Sequence, residues 1–271
     1  MKVNLRKTLF ILPNLFTLSS VFCGLFALLT CTTDPDADAF HRAALLVVFA
    51  MFFDAIDGRV ARLTRTQSAF GVQMDSLADI VSFGVAPAVL VYRWSLEPLG
   101  WVGVLGCFAF VACGAIRLAR FNVLSMGESG APRKPGKYIL GLPIPGAAGI
   151  LVSLVVANHA VAGSLPALRW VVLAVVLVLS FFMVSTIRFR SFKDVKLSPR
   201  TVAMVLVALG SAVAISLRFH PSFALVWLLA CYVTIGLVET FLDLSRRVTR
   251  RAPRSRVVRA ADGTRGPSAE P

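Results

Sequence analysis

Residues 54–79 read D-A-I-D-G-R-V-A-R-L-T-R-T-Q-S-A-F-G-V-Q-M-D-S-L-A-D. Aspartates stand at 54, 57, 75 and 79, so four of the chain's 14 acidic residues fall within 26 positions. The sequence on either side is apolar enough to lie in lipid. Ionisable groups at membrane depth are costly, and a cluster of them marks a functional site by default.

The surrounding composition says what kind of molecule holds the cluster. Hydrophobic residues make up 57% of the 271 and charged residues 15%, with a mean hydropathy of +0.77. That balance fits a polytopic membrane protein with one integral domain. The basic, apolar N-terminus resembles a secretory signal, but no A-x-A-like cleavage site follows closely. It is read as a retained first helix. Cys23, Cys107, Cys113 and Cys231 lie inside apolar runs and Cys31 at the end of one, with no spacing that suggests zinc. His41, His159 and His220 fall near predicted span ends and read as interfacial.

Eight apolar stretches are long enough, or nearly so, to cross a bilayer: about 12–30, 41–56, 77–94, 99–116, 139–160, 168–187, 201–217 and 222–242. The expected fold is therefore all-α, a polytopic transmembrane helical bundle of about eight spans. With a cytosolic N-terminus, 24 of the 28 Lys and Arg fall on the cytosolic side, and Arg42, Arg93, Arg169 and Arg218 on the other. This bias toward the inside requires both termini to be cytosolic. It also puts the four aspartates at the cytosolic ends of their helices. Topology thus accounts for the net charge of +14, and no nucleic acid partner is expected. The basic groups should face anionic membrane lipids instead. Residues 1–246 form the membrane domain. The segment 247–271 is densely basic, lacks apolar periodicity and reads as a disordered cytosolic tail.

The spacing of the aspartates is chemically specific. Asp54 and Asp57 are three apart and Asp75 and Asp79 four apart, so each pair shares a helix face. Two such helices can converge their carboxylates, whose mutual repulsion then needs compensation. Oxygen-only ligation suits Mg²⁺ or Mn²⁺, and a bridged pair of divalent ions can clamp a phosphate during displacement. Gly58 and Gly71 remove bulk beside the two pairs. Arg59, Arg62 and Arg65 recur every three residues, and the guanidinium fork matches phosphate oxygens. Arg59 and Arg65 also fit a simpler role as positive-inside charge.

The pattern D-x-x-D-G-x-x-A-R-x8-G-x-x-x-D-x-x-x-D resembles the signature of the CDP-alcohol phosphatidyltransferase family. It is matched at every fixed position: Asp54, Asp57, Gly58, Ala61, Arg62, Gly71, Asp75 and Asp79. The likeness runs from P-N-L-F-T-L at 13–18 to the end of the last span. It implies that Asp54, Asp57 and Asp75 hold two divalent ions. It implies further that Asp79 touches a metal and serves as the catalytic base. Gly58, Arg62 and Gly71, with Asp54 and Asp57 close by, would meet the CDP group. Asn14 and Thr17 resemble the family's element beside the nucleotide. The implied donor is CDP-diacylglycerol and the implied place a bacterial cytoplasmic (inner) membrane, with the active site on the cytosolic side. The sequence leaves a homodimer open.

Three further segments resemble the serine-using branch of that family: A-I-R-L-A-R-F-N at 115–122, G-L-P-I-P-G-A-A-G at 141–149 and F-R-S-F-K at 189–193. The implied acceptor is L-serine. Its carboxylate calls for cationic partners, and Arg117, Arg120, Lys137 and Arg188 stand where such partners are needed, with Arg190 and Lys193 near them. A phosphorylated acceptor would use the same cations, so phosphatidylglycerophosphate synthase is the alternative within the family. Breaks at Gly141, Pro143, Pro145 and Gly146 fit backbone that lines a cavity. A transporter is disfavoured because the ionisable groups share one depth. A non-catalytic scaffold with structural metal ligands is the remaining alternative.

Overall fold

The computed structural model describes residues 5–33, 35–64, 68–125, 138–163 and 165–190, and beyond them positions 207, 210–212, 214 and 227. Helix α1 spans Leu5–Thr33 and α2 spans Ala37–Leu63. A long third helix, α3, runs over Ala69–Leu99, and α4 covers Trp101–Ser125. Two shorter apolar helices follow, α5 at Ile144–Ala160 and α6 at Arg169–Val184. Among the described residues, four segments are long and apolar enough to cross a membrane: Asn14–Thr33 of α1, Ala37–Ala61 of α2, Ala69–Leu99 (α3) and Trp101–Leu124 of α4. The first six apolar stretches of the sequence therefore correspond to helices. Residues 201–217 and 222–242, expected as the last two spans, lie largely outside the described residues, as does the whole of 247–271. Where they are described, the indole Nε1 of Trp227 donates to Ser211 Oγ at 2.8 Å.

Small side chains let the first two helices approach. Ala27 and Cys31 of α1 and Ala43, Ala44, Val47 and Ala50 of α2 are buried in the core. Lipid supplies little drive for helix association, so close van der Waals packing must do it. Large apolar residues point the other way: Phe22, Phe26, Phe49, Phe52, Phe108 and Phe181 are exposed on the bundle's outside. In a membrane that surface meets acyl chains. The start of α2 is fixed by Asp36, whose carboxylate accepts from the Ala39 amide. This satisfies one of the amides that an isolated helix start leaves unpaired.

Helix α3 is not uniform. Its first section, Ala69–Asp79, is α-helical. Two π-helical turns, Ile80–Val85 and Tyr92–Leu96, flank the α-helical section Ala86–Val91, and a 3₁₀ turn closes the helix at Glu97–Leu99. The first π turn follows Asp79 directly. Such turns are rare and recur at functional sites.

The segment between α4 and α5 departs from the sequence expectation in two ways. Residues 117–125, expected to begin a cytosolic loop, continue α4. Residues 139–140, expected to begin the fifth span, belong instead to a short strand. Tyr138–Leu140 (β1) pairs antiparallel with Arg188–Arg190 (β2), in the register Tyr138↔Arg190, Ile139↔Phe189, Leu140↔Arg188. The spans are helical as expected, and this pair outside them was not foreseen. Its cause is local. Gly141 has φ +77, which a side chain rarely tolerates, and a Cβ there would lie 2.2 Å from the Met183 carbonyl oxygen. The chain turns at this glycine and enters α5 through Pro143, whose missing N–H costs nothing at a helix start. The break packs tightly against the end of α6, where the sequence pointed to cavity-lining backbone.

Candidate active site

The two halves of the aspartate motif sit on different helices, and the bundle brings them together. Asp54 and Asp57 lie near the end of α2, and Asp75 and Asp79 in the first section of α3. One carboxylate oxygen from each of Asp54, Asp57 and Asp75 can be chosen so that all three lie within 4.8 Å of one another. Asp57 and Asp79 are buried, while Asp54 and Asp75 are half-buried. The charges that Asp79 feels are those of Asp54, Asp75, Arg117 and Asp57. Carboxylates this close repel one another when ionised, and a cation between them would offset that repulsion. The donors are oxygen alone, which fits hard divalent ions of the Mg²⁺ or Mn²⁺ type.

Local structure explains how α3 presents its pair. Ser68 precedes the helix in extended conformation, and its Oγ accepts from the Gly71 amide at 3.0 Å. This is a regular N-cap. A Cβ on Gly71 would stand only 3.2 Å from Ser68 Oγ, so the small residue there serves the cap. On the next turn, Asn122 of α4 donates from Nδ2 to Ser76 Oγ at 2.9 Å and to Gln73 Oε1 at 3.4 Å. Asn122 is buried, so these bonds tie α4 to α3 beside Asp75.

Helix α1 closes the other side. Thr17 is buried, and its Oγ1 donates to Asp57 Oδ2 at 2.7 Å. Asn14 lies one turn earlier and is half-buried. Three residues beyond Thr17, Ser20 Oγ donates to Ser82 Oγ at 3.2 Å, and Ser82 Oγ donates to the Ser20 carbonyl at 3.0 Å. One turn further, a Cβ on Gly24 would come within 2.8 Å of Ser82 Cα. The chain therefore runs α1 against α3 at contact distance.

The cationic residues divide. Arg117 is buried and its guanidinium lies 5.5 Å from the centroid of the Phe121 ring. Arg120 donates from Nη1 to the Val184 carbonyl at 2.8 Å and from Nη2 to the Ser185 carbonyl at 3.1 Å. These are the carbonyls at the end of α6, where a cation is favoured. Gly58 is half-buried next to Asp57, and Arg59 is exposed, in keeping with positive-inside charge. Arg62 falls within α2 and Arg188 within β2. Lys137, Arg65 and Lys193 lie outside the described residues.

Sequence reading missed the Ser20–Ser82 link and the Ser68 cap. Ser20 and Ser82 are separated by 62 residues and carry no motif. Asn122 ends the segment 115–122, but nothing in the pattern tied it to Ser76.

A family model described as CDP-alcohol phosphatidyltransferase matches residues 10–182. The chain belongs to the CDP-alcohol phosphatidyltransferase family. The matched region contains the whole aspartate cluster and the helices that assemble it, and the chain is an enzyme of this phosphotransferase family. It is 38% identical over 235 residues to the CDP-diacylglycerol–serine O-phosphatidyltransferase of Helicobacter pylori, covering 85% of this chain and 91% of that one. Against the Bacillus subtilis protein of the same name it is 33% identical over 182 residues, 67% of this chain and 91% of the other. It also resembles the archaetidylserine synthase of Methanothermobacter thermautotrophicus, 40% identical over 139 residues, 51% and 54% of the two chains. Family membership and apolar helices together make it a membrane protein.

Proposed function

We propose that this protein transfers the phosphatidyl group of CDP-diacylglycerol to the hydroxyl of L-serine, giving phosphatidylserine and CMP. The observation that carries the reading is the convergence of Asp54, Asp57 and Asp75 in a chain whose relatives bear that activity in their names. Asp54, Asp57, Asp75 and Asp79 would hold two divalent ions, which when bound supply positive charge against the pyrophosphate and the departing CMP. Asn14, Thr17, Gly58, Arg62 and Gly71 would meet the CDP group.

Asp79 takes the proton of the serine hydroxyl. The serine oxygen then bonds to the phosphorus that carries diacylglycerol, and the bond from that phosphorus to the CMP oxygen breaks. Burial of Asp79 supports this role, because a base must work where bulk water does not compete. Arg117 would be the partner for the serine carboxylate: it is buried on α4. Arg120, Lys137 and Arg188 would complete the cationic wall, with Arg120 also holding the end of α6.

The distribution of Lys and Arg supports a cytosolic position for the aspartates, with eight spans and both termini inside, and the bacterial relatives support an inner-membrane location. The basic composition of residues 247–271 suits anionic lipid, and their removal should leave the chemistry intact. A panel of labelled acceptors supplied with CDP-diacylglycerol tests the assignment. Serine is incorporated and CMP released. Incorporation of glycerol 3-phosphate in its place would overturn the acceptor while leaving the family chemistry intact.

A further inference from the structure

We propose that Thr17 is a positioning residue for metal binding. It sets the orientation of the Asp57 carboxylate, and so tunes the affinity of the aspartate cluster for its divalent ion. The inference rests on the metal reading of that cluster given above and adds to it a residue that does not touch the ion.

The bond from Thr17 Oγ1 to Asp57 Oδ2 measures 2.7 Å, the usual length for a well-formed O–H···O contact. Both residues are 5% exposed, so the bond is made where water does not compete and electrostatic interactions are stronger. A carboxylate accepts at both oxygens. A donor fixed on Oδ2 sets the plane of the group and so directs the remaining acceptor sites. A cation held there would be shared with oxygens of Asp54 and Asp75, which lie within 4.8 Å. Partners of this kind orient metal ligands, and their loss weakens binding even though the ligands remain.

The donor is itself held in place. Thr17, Ser20 and Gly24 share one face of α1, and that face is locked to α3 by the paired Ser20–Ser82 bonds and by the close approach at Gly24. Ser82 is three residues beyond Asp79. One helix thus braces both aspartate pairs, touching the first through Thr17 and the second through Ser82. Thr30, Thr32 and Thr33 on the same helix bond back to carbonyls of α1. Thr17 differs in reaching another helix.

The test uses the full-length protein in lipid nanodiscs without nucleotide, with Mn²⁺ as the probe and loss of the free-ion EPR signal as the readout. Thr17→Val should raise the Mn²⁺ dissociation constant about 10–100-fold, while Thr17→Ser stays within about threefold of the parent. The KM for CDP-diacylglycerol is measured beside it at saturating Mn²⁺. Thr17→Ala repeats the test without valine's added methyl in the dry contact. Unchanged Mn²⁺ affinity with a raised KM would overturn the proposal and make Thr17 a direct nucleotide contact. Equal damage from Ser and Val would overturn it too, since packing rather than the hydroxyl would be responsible. If the parent binds Mn²⁺ no better than Asp57→Asn, the metal reading itself fails and the proposal goes with it.

Discussion

Where Asp54, Asp57 and Asp75 converge, with Asp79 one turn further along α3, acidic groups are drawn into the bundle, and Asp57 is joined to α1 by Thr17. Near the other ends of the same helices, Asp36, Asp38, Arg93 and Glu97 are handled differently. Asp38 lies 3.7 Å from His159 Nε2 with most of its side chain in the open, and Asp36 is 3.9 Å from Arg42 with both exposed. Arg93 pairs with Glu97 one turn away on its own helix. His41 and His159 stack with ring centroids 4.3 Å apart. The two regions are separated along α2 by the 16 residues from His41 to Asp57, or about 24 Å of helix. Charge alone therefore does not mark a site in this molecule. At the far end, attraction between opposite charges is local and shared with solvent. At the aspartate end, acidic groups are pressed together, and a bound cation would relieve their repulsion.

This contrast can be broken most directly by removing the cation. Exhaustive chelation should abolish turnover, and Mn²⁺ or Mg²⁺ should restore it. Full activity in the chelated enzyme would make the aspartates structural. Next in size is Asp79→Asn, which should lower the rate of CMP release by about 10²–10⁴ and leave CDP-diacylglycerol binding in place. Loss of nucleotide affinity as severe as in Asp54→Asn would assign Asp79 to ligation and move the base elsewhere. Asn122→Ala should cost about 0.5–1.5 kcal/mol, the usual net worth of a hydrogen bond whose partners can turn to other groups, read as a lower unfolding midpoint in the same detergent. An unchanged midpoint would show that the α3–α4 tie is incidental. The smallest effect belongs to the far end. Replacing Arg93 and Glu97 together by alanine should change stability by no more than about 1 kcal/mol and leave turnover alone. A large loss of turnover there would show that the two ends are coupled.

The sequence made the aspartate end legible and the far end nearly silent, for a physical reason. Carboxylates in apolar helices stand out against their surroundings, and spacings of three and four fix the face they share. The pairing of α2 with α3 could be inferred because two half-sites demand each other. The bracing by α1 could not, because serines and glycines in a membrane helix look alike whether they pack or not. The strand pair at β1 and β2 was hidden similarly. Gly141 and the prolines signalled a break, but they did not say that the chain would use it to reach residues 188–190.

The first π turn of α3 bears on how this helix tolerates changes in length. Such a turn holds one residue more than an α turn, so the helix already contains an insertion that its flanks have absorbed. Deleting one residue within Ile80–Val85, with Ser82 kept, would restore an ordinary α turn and leave Asp79 and Trp94 facing as before. The same deletion between Asp75 and Asp79 would swing one carboxylate about 100° from the other. Within a single helix, then, shortening by one residue is tolerated just past the last aspartate and ruinous just before it.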